Sequence, residues 1–167
     1  MRFIHLCTYW LLAFICCCNY KDQKKIPISK EITSVNSLGS PIHLLNSLLN
    51  EHEVGPDKIV ATFRADVRFK DWKRHFPEQM MECVAKFPLD SGREMTAEVF
   101  THWAQKSYDQ SISYVENKMN DSDLKDSAII GIVNGLRNEQ LSVAVSWAHE
   151  ISDESIRYQL LESLATQ

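Results

Sequence analysis

The sequence comes closest to a catalytic motif at His149-Glu150-Ile151-Ser152-Asp153. A helical zinc-protease motif needs a second histidine four residues after the first, so that both imidazoles share one face. Asp153 stands there instead and reads as the cap of a following helix, so the helix bearing His149 ends before it. His43, His52 and His102 have no serine, cysteine or carboxylate spaced to make a nucleophile and base pair. No GxGxxG, P-loop or GxSxG sequence occurs. Cys83, within Met80-Met81-Glu82-Cys83-Val84-Ala85, falls on an apolar helical stretch and reads as a small core residue. Trp72, Trp103 and Trp147 could line a ligand groove, although large aromatics at helical spacing more often fill a core. These residues point to a non-catalytic protein with no cofactor and no metal. A small hydrolase with an unrecognised site is the alternative from another class.

Cysteine usage is the stronger chemical signal. Cys7, Cys16, Cys17 and Cys18 lie in the first 18 residues and only Cys83 lies in the body, so no disulfide staples it. No CxxC or CxxCH in the body supports a zinc, redox or haem site. Arg2 is the only Lys or Arg before position 19, and Cys7 to Cys18 is an unbroken low-polarity run of 12 residues. A membrane-spanning helix needs roughly 20, so the run reads as the apolar region of an export signal, with an uncleaved anchor helix as the alternative. The triplet Cys16-Cys17-Cys18 ends that run and is followed at once by Asn19-Tyr20-Lys21-Asp22. It resembles the lipobox of bacterial lipoproteins. The resemblance implies that one cysteine is lipidated and becomes the first residue, with Cys18 the best acceptor. Ile15 then sits where the motif favours Leu, and Cys17 where it favours Gly, Ala or Ser. Several acyl chains, at roughly 0.8 kcal/mol per buried CH₂, hold a soluble domain stably on a bilayer. Cleavage nearby followed by plain secretion, as a soluble effector or regulator, is the competing reading.

Composition fits that organisation. With 167 residues, 44% hydrophobic, 24% charged and net charge −4, the chain has room for one folded domain beyond a targeting segment. Residues 19–41 are rich in Lys, Ser, Asn, Gly and Pro, carry net charge +2 and lack a helical period, so they read as a flexible tether. Residues 42–167 hold 13 basic and 20 acidic residues, net −7. Such a body argues against a nucleic-acid partner, which needs a basic surface. Its positive charge clusters over 58–75, where Lys58, Arg64, Arg68, Lys70, Lys73 and Arg74 outnumber Asp66 and Asp71 by four. A solvated helix face is the simpler reading of that cluster; a headgroup or acidic-partner patch is the other.

From Pro41 onward the pattern is helical. Ser40-Pro41 opens a first helix carrying Ile42, Leu45, Leu48 and Leu49, and Gly55-Pro56 closes it. Asp57 caps a second running to about His75, with Ile59, Val60, Phe63 and Val67 inward and a bend where the apolar face changes. Pro77 begins a third through Met80, Met81, Val84 and Phe87. Ser91-Gly92-Arg93-Glu94 and Ser107-Tyr108-Asp109-Gln110 read as capping boxes. Asp121-Ser122, Asn138 and Asp153 cap three more helices. Gly131 and Gly135, one turn apart, cost roughly 1 kcal/mol each against Ala, so they mark a close helix–helix approach.

Helix starts at Asp57, Ser91, Ser122 and Asp153 lie 34, 31 and 31 residues apart, with two helices in each interval. Second helices align as well: Met81-Glu82-Cys83-Val84-Ala85, Ile112-Ser113-Tyr114-Val115-Glu116 and Val145-Ser146-Trp147-Ala148-His149. A hairpin of this size cannot bury its apolar face alone, and stacking makes a continuous core. The expected fold is all-α, with antiparallel hairpins of 31–34 residues stacked as a short α-solenoid; a non-repeating bundle is the alternative. The unit, best seen at Ala144-x-x-Trp147-Ala148 and Asp153-x-x-x-Arg157, resembles the degenerate tetratricopeptide-like or HEAT-like arrays of exported bacterial proteins. That resemblance covers residues 57–167 and implies a curved surface for a protein or peptide partner, with no catalytic residues. The expectation is a protein-binding or scaffolding module anchored at the cell-envelope membrane. The last helix has no following partner, so its outer side should be polar or covered by another chain.

Overall fold

The computed structural model describes residues 38–51, 54–120 and 122–166. The expected signal at 1–18, the cysteines Cys16, Cys17 and Cys18, most of the 19–41 tether, His52 and Asp121 lie outside them. The described residues form eight α-helices and no strand: α1 (Pro41–Leu49), α2 (Pro56–Ala65), α3 (Phe69–His75), α4 (Pro77–Val84), α5 (Leu89–Lys118), α6 (Lys125–Leu136), α7 (Leu141–Ala148) and α8 (Glu154–Ala165). None of them is long and apolar enough to cross a membrane. They pack mainly on chain neighbours as hairpins in a solenoid-like stack, with α5 against α6 the most extensive pairing and α8 laid on α7.

Local chemistry places most helix starts. Proline opens α1, α2 and α4, where its fixed φ suits the first turn and its missing N–H costs nothing. The Ser40 hydroxyl accepts the Ile42 N–H at 3.3 Å, and the Asp153 carboxylate accepts that of Ile156 at 3.0 Å. Ser122 accepts the Leu124 N–H at 3.2 Å just before α6. The apolar stripes then merge into one core running from Leu45, Phe63 and Trp72 through Met80, Met95 and Phe100 to Ile129, Ile132 and Ile151.

Four local expectations are corrected. Gly55, not Asp57, is the N-cap of α2. The helix expected to run to His75 breaks at Asp66, whose carboxylate takes the Arg68 N–H at 2.8 Å; the turn this makes leaves Val67 92% exposed instead of inward. The Ser91–Glu94 box is not made, because Pro88 (φ −53°, ψ 143°) already starts α5 at Leu89 and Glu94 pairs with Arg64 instead. Asn138 does not cap α7: Gln140 is the N-cap, without a side-chain bond. At Ser107 the expected break is present: its non-helical backbone (φ −152°, ψ 72°) divides α5 into two helical segments joined across a kink.

The close approach at Gly131 and Gly135 is present. They face a stripe on α5 formed by Ala97, Phe100, Thr101 and Ala104. A methyl group at Gly131 would stand 2.7 Å from Phe100 Cβ, and one at Gly135 2.6 Å from the Thr101 carbonyl oxygen. Gly131→Ala should therefore cost roughly 2 kcal/mol of overpacking even though alanine is the better helix former by about 1 kcal/mol. Gly92→Ala, whose methyl would meet Leu124 and Val84 at an ordinary 3.6 Å, should be neutral or stabilising. Urea unfolding of the two variants checks this, and equal effects would contradict it.

Candidate functional site

Two open grooves flank the second half of α5. Both have an aromatic side chain as floor, and the two aromatics hold the same place in the aligned second helices. The first groove, about 460 Å³, lies between α4 and α5 and is lined by Glu78, Asp109, Gln110, Ser113, Tyr114 and Lys118, among others. Tyr114 is half-buried, its ring 5.2 Å from that of Trp103 and 6.1 Å from that of Phe100. Burial, and then the carboxylates Glu78 and Glu82, push its hydroxyl above the ordinary tyrosine value, so it remains a proton donor.

The second groove, about 390 Å³, lies between the end of α5 and α7 and is lined by Glu116, Asn120, Lys125, Ser146, Trp147 and Glu150 beside Val115. Trp147 is half-buried, and its indole N–H donates to the Tyr108 hydroxyl at 3.0 Å. That bond fixes the indole across the gap between α5 and α7. Each groove thus combines one aromatic face, two carboxylates and one ammonium group. An aromatic face with carboxylates beside it suits a Lys or Arg side chain, by ion pairing and by cation–π contact. The other expected tryptophans are core: Trp103 is 4% exposed, and Trp72 is fully buried with its indole N–H given to the Gly39 carbonyl at 2.9 Å.

The candidate catalytic residues do not converge. α7 ends at Ala148, so His149 is its C-cap and Glu150 follows the helix, while Asp153 caps α8. The turn between them is held from elsewhere, by the Asp126 carboxylate of α6 accepting the N–H groups of Ser152 and Asp153 at 3.0–3.1 Å. Nothing local in the sequence signals that bond. Cys83 is 1% exposed and its thiol is pushed up to about 12, chiefly by burial, so it carries no thiolate at ordinary pH. His43 is exposed on α1. Among the described residues, no group of three or more His, Cys, Asp or Glu is placed to hold a metal ion.

The basic stretch over 58–75 is only partly a solvated face. Arg64 bridges to Glu94 at 2.8 Å and to Glu98, and Lys73, buried against the Phe69 ring, meets Glu98 at 2.7 Å. Arg68 pairs with Asp66 at 2.8 Å. Sequence reasoning missed this network because its acidic half lies on α5, some 30 residues away.

No protein-family model, curated protein or solved structure matches the chain.

His102, half-buried on α5, is held below its ordinary pKa of 6.5 by burial first and then by Lys73 and Arg74. The unfolded chain therefore takes up this proton before the folded one does. Stability should fall as pH drops below about 6.5, and His102→Gln should flatten that slope in denaturant titrations between pH 7 and 5. An unchanged slope would contradict it.

Proposed function

We propose that the chain is a non-catalytic protein-binding module of the helical-repeat kind, held at a cell-envelope membrane by a lipidated Cys18. The observation that carries the binding role is the equivalent placement of Tyr114 and Trp147, each half-buried, each flooring a groove edged by carboxylates. A hydrogen bond to Tyr108 holds Trp147 in place, and ring contacts with Trp103 and Phe100 hold Tyr114, before any partner arrives. Preorganised aromatic floors are what a peptide-binding surface uses to limit the entropy lost on association.

The partner that best fits is an extended segment carrying spaced Lys or Arg residues, because Glu78 and Asp109 edge one groove and Glu116 and Glu150 the other. Support for the membrane location comes from the sequence: a short apolar run ending in Cys16-Cys17-Cys18, then a polar segment, then a helical body.

A photo-crosslinking residue at exposed Ser113 or Ser146, introduced into the full chain in its native membranes, should capture the same protein from both positions. A probe at exposed Asn138 should not. Glu116→Lys with Glu150→Lys should reduce capture about tenfold or more without altering the circular dichroism. Equal capture from all three positions, or no effect of the charge reversals, would overturn the groove as the binding surface.

Cys18→Ala should move the protein out of the membrane fraction and abolish incorporation of labelled palmitate. Retention of both would exclude Cys18 as the lipidated residue.

A further inference from the structure

We infer that the exposed side of α3, together with Lys106 of α5, is a docking surface for an anionic lipid bilayer, so that the body lies against the membrane that carries it. This rests on the membrane anchoring proposed above. It begins with charge. The body is net −7, so cations left without carboxylates in one place stand out. Lys70 and Arg74 are exposed one helical turn apart on α3, whose sequence FKDWKRH contains a single acid, the half-buried Asp71.

Lys106 reaches the C-terminal end of α3, with its Nζ 3.3 Å from His75 Nδ1 and 3.5 Å from the Arg74 carbonyl oxygen. Arg64, Arg68 and Lys73 are taken up by Glu94, Asp66 and Glu98. Among the described residues no carboxylate lies within ion-pair distance of Lys70, Arg74 or Lys106, which leaves them available to phosphodiester groups. Val67, 92% exposed just before α3, adds an apolar side chain at the opposite, N-terminal end.

The chain joins the body at α3: the Arg68 guanidinium donates to the Leu38 carbonyl at 3.3 Å and the Trp72 indole to the Gly39 carbonyl at 2.9 Å. Gly39 adopts φ +66°, and a methyl there would stand 3.2 Å from the Arg68 guanidinium, so the junction is shaped around α3. From Cys18 to Leu38 the chain can reach at most roughly 70 Å, even fully extended. That stretch carries Lys21, Lys24, Lys25 and Lys30 against Asp22 and Glu31, the same sign as the α3 surface. Each Lys or Arg close to an anionic leaflet strengthens binding about fivefold, so three cations on a tethered body give about a hundredfold preference for the docked arrangement.

Lysine acetylation read by mass spectrometry tests this directly. The full chain is incorporated into vesicles of phosphatidylcholine alone or with phosphatidylglycerol at three parts in ten. Labelling of Lys70 and Lys106 should fall severalfold in the anionic vesicles relative to the neutral ones. Lys118 and Lys125, on the groove side, should label equally in both. Salt at 0.5 M, or Arg74→Glu, should restore labelling of Lys70.

Equal labelling of Lys70 in both vesicle types, with the protein vesicle-bound in each, would overturn the docking surface and leave the anchor standing. Protein bound to neither vesicle type would overturn the anchor itself and this inference with it. Protection that requires added envelope proteins and not anionic lipid would overturn the bilayer as occupant, in favour of an acidic protein.

Discussion

The fold depends on how closely α5 and α6 approach. Gly131 and Gly135 let the α6 backbone rest on the stripe of Ala97, Phe100, Thr101 and Ala104, with no room for one methyl group at either position. That contact brings Ala128, Ile132 and Val133 into the centre of the core with none of their surface exposed. α7 then packs on α6 and α8 on α7, so the placement of the C-terminal third follows from this one distance. Trp147 is carried on α7, and the second groove exists only because α7 stands where α6 puts it.

A second constraint fixes the N-terminal side. Glu98 of α5 holds both Arg64 of α2 and Lys73 of α3, and Lys73 is buried. A lysine withdrawn from water is tolerated only when its partner is in place, so Glu98 ties two short helices to the long one. This internal use of charge also sorts the basic stretch. Cations facing α5 are neutralised, while Lys70 and Arg74, facing solvent beside Lys106, keep their charge for something outside the protein. Structure and surface electrostatics thus come from the same seven-residue helix.

Much of this was legible in the residues. Gly131 and Gly135 announced the close contact because glycine inside a helix is costly unless packing requires it. Asp153 capped as expected, since a cap is a bond over two or three residues, whereas Ser122 takes only the Leu124 N–H and Leu124 itself is the N-cap of α6. The expected helix starts at Asp57, Ser91, Ser122 and Asp153 fall within three residues of the observed ones. What failed was decided at long range or by a competing local bond. Glu94 fits a capping box with Ser91, but Arg64 on another helix claims it. Val67 fits the apolar period of α2, but the Asp66 carboxylate takes the next free N–H and turns the chain outward. Asp126 supports the start of α8 from 27 residues away, which no local pattern signals. The grooves were half visible: three tryptophans looked alike in sequence, and only packing separates Trp147, at a groove, from Trp72 and Trp103 in the core.

The central claim is that the surface between α4, the second half of α5 and α7 receives a protein segment. Hydrogen exchange of the full chain in its native membrane, compared with the purified chain in detergent, tests it most directly. The account predicts added protection confined to residues 109–120 and 141–150, around Tyr114 and Trp147, in the native membrane. Unchanged exchange in those segments, with new protection appearing only elsewhere in the body, would contradict it.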